Sequence, residues 1–199
     1  VLILCGDTPL MSRATIKRVV QKHKKSKATC TFLTAVVHNS KGYGRIIRGE
    51  NGSAVAIRED KDATGFERNI AEINVGVYCC QSKELFKALK AIKINKIKKE
   101  FYLTDIVEFF FEKGQKIETV EAEDPMESLG INTREDLATA EAVMRRRVLK
   151  NLMLEGVTIV DPGTTCIDAD AKIGCDTVIY PYTFIESNVR IGKNCRIGP

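Results

Sequence analysis

From Ile167 to Pro199 the chain reads IDADAKIGCDTVIYPYTFIESNVRIGKNCRIGP. Ile167, Ile173, Ile179, Ile185, Ile191 and Ile197 recur every six residues without a slip. Two positions before each isoleucine, from Ile173 onward, stand Ala171, Thr177, Thr183, Val189 and Cys195, all small or β-branched. Gly174, Gly192 and Gly198 follow their isoleucines directly. One large inward aliphatic and one small partner per hexad is the pattern of a parallel β-helix. Each isoleucine stacks on its equivalent in the next coil and extends a continuous core. A lone alternating strand is excluded by length, since strands run about 3–10 residues. Cys175 and Cys195 fall inside hexads and read as small packing residues, not nucleophiles.

Upstream of the repeat the period changes. Thr133 with Asp136 forms a capping-box pattern, and Gly156 is a good helix stop. Leu137, Ala140, Met144, Val148 and Leu152 mark one face of a long helix between them. Arg145, Arg146 and Arg147 cannot all point away from that face, so some are expected to pack or pair. So long a helix suits an arm joining two domains.

Residues 1–132 alternate apolar runs with amphipathic segments. VLILC reads as a buried strand, and Ser12 as the N-cap of a helix with Ile16, Val19 and Val20 on one face. Strands are expected at 30–37, 54–58, 73–80 and 116–120, with GENGS turning a hairpin before Ala54. Helices are expected over 82–92 and around 106–111. This alternation predicts an α/β domain with a mostly parallel sheet.

Composition narrows the function classes. The hydrophobic share of 44% and charged share of 29% over 199 residues suit a soluble globular chain with a real core. No apolar run approaches the ~20 residues of a membrane-spanning helix, and the opening run lacks the flanks of a signal peptide. Seven scattered cysteines without a C-x-x-C pair favour a reducing compartment, hence the cytoplasm. The net charge of +5 comes partly from lysine clusters at 22–27 and 90–100. Both sit beside apolar stripes at helical spacing and lack interleaved aromatics, so they read as solvated helix faces, not a nucleic-acid surface.

Six motifs could carry chemistry. Asp7, with Gly6 before it, closes the LILCGD run at a strand end, where open α/β sheets bind ligands. It could hold a divalent cation against phosphates, or merely start the next turn. Gly42-Tyr43-Gly44-Arg45 permits close backbone approach, or is a plain turn. Glu59 opens a charged loop, EDKDA, that could bind sugar hydroxyls or be solvated. Asn74 places an amide inside an apolar strand, so it satisfies backbone or faces a ligand. Thr104 precedes an apolar helix and could be only its N-cap. Asn132 stands just before the capping box.

In this order, LCGDTPL, GYGRI, REDKDAT, EINVGVY, FYLTDI and GINTRED resemble the bacterial bifunctional N-acetylglucosamine-1-phosphate uridyltransferase / glucosamine-1-phosphate acetyltransferase family. The resemblance covers essentially the whole chain. It implies an α/β fold: a Rossmann-like nucleotidyltransferase domain (1–132), a helical arm (133–156) and the start of a left-handed hexapeptide β-helix (157–199). It implies Mg2+ bound by Asp7 and Asn132. Gly44, Glu59 and Asn74 would hold the N-acetylglucosamine moiety, Thr104 would add a contact, and Gly6 would let the strand end approach the nucleotide. The reaction implied is UMP transfer from UTP to N-acetylglucosamine 1-phosphate, in a cytoplasmic homotrimer assembled through the β-helix. The family's glycine-rich nucleotide loop precedes the first motif, and its acetyl-coenzyme A site follows the last hexad. The chain is therefore expected to be an internal piece of a longer protein, with the N-terminal part of its first domain missing. Alone, it is expected to show no acetyltransferase and little or no uridyltransferase activity. Another hexapeptide-tailed sugar-1-phosphate nucleotidyltransferase, or a non-catalytic trimerising subunit, are the competing readings.

Overall fold

The computed structural model describes residues 1–94 and 100–199. Two compact units divide between Gly130 and Ile131.

The first unit, Val1–Gly130, is built on a six-stranded sheet. Its centre is β5 (Glu72–Cys80), nine residues long. On one edge β5 pairs with β2 (Cys30–Val36), which pairs in turn with β6 (Ile117–Glu121). On its other edge β5 is shared: β3 (Arg45–Arg48) meets it at Ile73, and β1 (Leu2–Ile3) at Tyr78 and Cys79. A hairpin joins β3 to β4 (Ala54–Arg58) through the expected GENGS turn, where the Gly49 N–H donates to the Ser53 carbonyl.

Helices cover both faces. The helix α1 (Arg13–Ser26), with Ser12 accepting from the Thr15 N–H as cap, buries Val19 against Leu33, Ile73, Val75, Val77 and Val120. The helices α2 (Ser82–Ala91) and α3 (Asp105–Glu112) bury Leu85, Ala88, Ile106, Val107 and Phe110 against Phe32, Ile57 and Tyr78 on the opposite face. Alternation along β5 sends odd-numbered residues from Ile73 to Cys79 to one core, and Tyr78 and Cys80 to the other.

The sheet departs from the mostly parallel expectation. Among the described residues of this sheet only β2 and β6 run parallel; the other pairs are antiparallel. Hydrophobic period fixes which face is buried but not strand direction, and the short β3–β4 turn forces an antiparallel pair. The opening strand is also shorter and wetter than expected. Val1, Leu2 and Leu4 are exposed because β1 pairs with β5 alone among the described residues. The expected helical lysine face at 90–100 stops with α2 at Ala91; residues 92–94 are not helical, and 95–99 lie outside the described residues.

The second unit, Ile131–Pro199, opens with α4 (Arg134–Leu154). Its capping box is complete: Thr133 accepts from the Asp136 N–H, and Asp136 accepts from the Thr133 N–H. The inward face differs from the expected one. Leu137 and Met144 are exposed, while Ala140, Leu149 and Leu152 are buried. Only the last turns of α4 pack on the coil core, so the period sets the stripe but tertiary contact selects which part is covered. Arg145 donates to the Cys166 sulfur, so at least this arginine packs.

Seven two-residue strands follow: β7 (Thr158–Ile159), β8 (Cys166–Ile167), β9 (Lys172–Ile173), β10 (Val178–Ile179), β11 (Phe184–Ile185), β12 (Arg190–Ile191) and β13 (Arg196–Ile197). They form three parallel sheets, β7-β10-β13, β8-β11 and β9-β12. Ile179 lies opposite both Ile159 and Ile197, Ile185 opposite Ile167, and Ile191 opposite Ile173. The stacked isoleucines are thus the core of the coil. The corners repeat too: Asp176, Tyr182, Asn188 and Asn194, six residues apart, all have φ between 55° and 65°. The coil begins one strand earlier than the hexads announce, since Asp161-Pro162-Gly163 lengthens the step from Ile159 to Ile167 by two residues.

Candidate functional site

The site is organised by a bulge in β5. Phe32 pairs with Tyr78 and Thr34 with Asn74, so β5 carries extra residues around Gly76. Gly76 takes φ +83°, a backbone region that a side chain disfavours. Its N–H, turned out of the ladder, donates to Oδ1 of Asn74 at 3.1 Å. The bulge therefore fixes the Asn74 side chain, a common use of bulges beside sites.

Three other candidates converge on Asn74. The Asn74 N–H donates to the Gly44 carbonyl at 2.8 Å. A Cβ built on Gly44 would lie 2.8 Å from Ile57 Cγ2, 3.5 Å from Glu59 Oε1 and 3.7 Å from Asn74 Cβ. Only glycine fits there without a shift. Thr104 Oγ1 donates to Glu59 Oε1 at 2.8 Å. Thr104 does precede α3 as its N-cap residue, but its side chain makes no cap hydrogen bond. Burial, first of all, holds the Tyr78 phenol well above its ordinary value; the Asn74 side chain pulls the other way and the Glu59 charge adds to the rise. Asp105 beside Thr104 is likewise raised, by burial and then by the charges of Glu108 and Glu59.

Asp7 stands two residues after Cys5, at the end of the segment that meets this region. Cys5 packs on the bulge, its thiol 3.5 Å from the Gly76 carbonyl. A Cβ on Gly76 would fall 2.6 Å from that sulfur. Burial and then the Asp7 charge raise the Cys5 thiol. Gly6 and Asp7 form an exposed turn, and among the described residues the Asp7 carboxylate pairs with no cation. Asn132 belongs to the second unit, where its N–H donates to Asp136 and its side chain is exposed. Among the described residues no three His, Cys, Asp or Glu side chains cluster as metal ligands.

Sequence reasoning missed the supports of the site. Arg45, only 3% exposed in its side chain, pairs with Asp60 at 2.8 Å and also donates to the Tyr43 carbonyl. This clamps the loop after Glu59 onto the start of β3. Burial pushes the Asp60 carboxyl up, but hydrogen bonds from Arg45 and the Gly42 N–H, with the charges of Arg45 and Arg68, hold it below its usual value. Arginine inside GYGRI was the available signal, since a cation entering a strand needs a partner. The packing of Cys5 on Gly76 had no signal in sequence.

An α/β sheet thus carries a bulge-aimed amide, a glycine seat and a carboxylate, and a coil of parallel two-residue strands follows it. The comparisons agree: the nucleotidyl transferase family model matches residues 1–141, and the six-repeat bacterial transferase hexapeptide model matches 170–199. The chain belongs to the nucleotidyl transferase family. It is 47% identical over 199 residues to the bifunctional protein GlmU of Acetivibrio thermocellus, covering 100% of this chain and 43% of that protein. It is 46% identical over 198 residues to the bifunctional protein GlmU of Geobacillus sp. (strain WCH70), again covering 43% of the relative. The chain thus spans less than half the length of these curated relatives. A UDP-glucose pyrophosphorylase complexed with UDP-glucose superposes with a TM-score of 0.51 at 15% identity, covering 73% of this chain and 53% of that one, a likeness of fold. No helix among the described residues is long and apolar enough to cross a membrane.

Proposed function

We propose that this chain forms the sugar- and metal-binding part of an N-acetylglucosamine-1-phosphate uridyltransferase, within a parent protein that also acetylates glucosamine 1-phosphate. The observation that carries the proposal is the convergence of Gly44, Glu59, Asn74 and Thr104 in one contacting cluster. A sugar offers hydroxyls and an acetamido group, and a carboxylate beside an oriented amide accepts and donates to such groups. Thr104 occupies one oxygen of Glu59 and leaves the other for a sugar hydroxyl. Gly44 lets its backbone lie against Ile57, Glu59 and Asn74, where a methyl group would collide, and so keeps the carboxylate and the amide together.

The reaction joins the sugar 1-phosphate oxygen to the α-phosphorus of UTP and expels pyrophosphate. Catalysis of such transfers is mainly positioning and charge neutralisation. Asp7 would hold Mg2+, because a carboxylate oxygen is a hard donor and Mg2+ keeps several waters or phosphate oxygens besides a few protein ligands. When bound, the ion would neutralise charge on the phosphates. The exposed turn at Asp7 leaves the carboxylate open to it. The 43–47% identity to proteins named bifunctional supports acetyl-coenzyme A as the substrate of a second site outside this chain. The hexapeptide coils support a homotrimer, and the free thiols support a cytoplasmic location.

Thermal unfolding with Mg2+ and sugar nucleotides tests the pocket. UDP-N-acetylglucosamine at a hundredfold excess over Kd stabilises by about 2.7 kcal/mol. A rise in Tm with UDP-N-acetylglucosamine that is absent with dTDP-glucose, and lost in Glu59→Ala, is expected. An equal rise with dTDP-glucose, or none with either, overturns the proposal.

A further inference from the structure

Cys30 and Cys80 are directly opposite one another in the antiparallel β2–β5 pair, and their sulfurs are 3.4 Å apart. The pair is of the non-hydrogen-bonded kind. The Cys30 N–H turns away to the Lys116 carbonyl and the Cys80 N–H to the Val1 carbonyl, while the neighbouring Gln81 N–H bonds the Thr29 carbonyl. Such positions bring Cα atoms to about 4.5 Å, within the 4.4–6.8 Å that disulfides span. Both thiols are buried, and nothing in the nucleotidyl-transfer reading uses them.

We propose that Cys30 and Cys80 are a redox modification site, closing to a reversible cross-strand disulfide under hydrogen peroxide. A lone buried cysteine is usually inert, but here each thiol is the other's partner. The hydrogen bond between the sulfurs lowers Cys80 below the usual thiol value. That bond, then burial, raises Cys30 well above it. Either sulfur can attack with the other resolving, and the atoms balance alike with Cys80 attacking. The Cys80 thiolate takes an oxygen from peroxide, giving a sulfenic acid and hydroxide. The Cys30 sulfur then attacks the Cys80 sulfur, the S–O bond breaks, and the hydroxyl leaves as water with the Cys30 proton. Two thiols and one peroxide become one disulfide and two waters. Both are buried in the closed fold, so peroxide reaches them through local opening of the strand ends, Cys30 being the first residue of β2 and Cys80 the last of β5.

The bond would staple the end of the two central strands on the core face that holds Tyr78. Peroxide treatment of the full chain, followed by alkylation under denaturing conditions and peptide mapping, tests the site. A Cys30–Cys80-linked peptide, lighter by two hydrogens than the reduced pair and restored by a thiol reductant, is expected. Cys80→Ala should leave Cys30 alkylatable after the same exposure. Because the wild-type map needs no variant, a folding defect in Cys80→Ala does not blunt the test. Recovery of both residues as alkylated thiols at every exposure the fold withstands, or linkage of either to a different cysteine, overturns the proposal.

Discussion

Thr104 Oγ1 donates a 2.8 Å hydrogen bond to Oε1 of Glu59 from 45 positions away in the chain. The bond ties the start of α3 to the loop after β4 and sets the angle of the carboxylate. A hydrogen bond to a charged group is worth about 1.5–3 kcal/mol. Thr104→Val should therefore weaken sugar-nucleotide binding by a factor on the order of 10–100, with Thr104→Ser restoring most of it. Equilibrium titration of the three proteins with UDP-N-acetylglucosamine checks this. Equal affinities would show that Thr104 only packs.

Gly44 and Gly76 are expected to resist alanine for different reasons. At Gly44 the new methyl meets Ile57 at 2.8 Å, an overpacking that costs about 1–3 kcal/mol. At Gly76 the methyl meets the Cys5 sulfur at 2.6 Å and also strains φ +83°. The double variant Gly76→Ala/Cys5→Ala removes the collision but keeps the strain, so it should recover part of the loss. Urea unfolding of the set resolves the two contributions.

Asp60 should carry a pH signature. Its folded value is depressed by Arg45, Gly42 and Arg68 against burial. A depressed carboxylate contributes stability that is fully present above its unfolded value, roughly 3.9, and is lost as pH falls through the lower folded value. Asp60→Asn is expected to melt below the wild type at neutral pH. The gap should close in acid, as the wild-type carboxylate protonates. A gap that is constant with pH would assign the loss to packing.

In the coil, Ile179 is wholly buried between Ile159 and Ile197. Ile179→Ala should cost about 2–5 kcal/mol. Gly174→Ala should be comparably disruptive, because its methyl would strike the Gly192–Lys193 backbone at 2.7 Å and backbone cannot swing aside. Hydrogen exchange should show lost protection at the Val178 and Tyr180 amides, which donate across coils. Protection at wild-type levels would mean the coils close without the isoleucine stack.

The parts of the fold legible in sequence were those with a period or a cap. Six isoleucines in register announce a coil, and Thr133 with Asp136 announces a helix start. Strand direction was not legible, because alternation is the same for parallel and antiparallel neighbours. Nor was the covered part of α4, where Leu137 and Leu149 look alike until packing separates them. Gly44, Glu59, Asn74 and Thr104 stand in the sequence as separate motifs in order, and their mutual contacts are visible only in the fold. The bulge at Gly76, the seat of Cys5 on it and the Arg45–Asp60 clamp depend on registers that no local window contains.

The most direct measurement is pyrophosphate release by the whole protein that carries this chain, given Mg2+ and paired nucleotide and sugar phosphate. With UTP, N-acetylglucosamine 1-phosphate should turn over, glucose 1-phosphate should turn over far more slowly, and Asp7→Asn should abolish release. Turnover that favours glucose 1-phosphate or dTTP, or that survives loss of the Asp7 carboxylate, would contradict the assignment of this site.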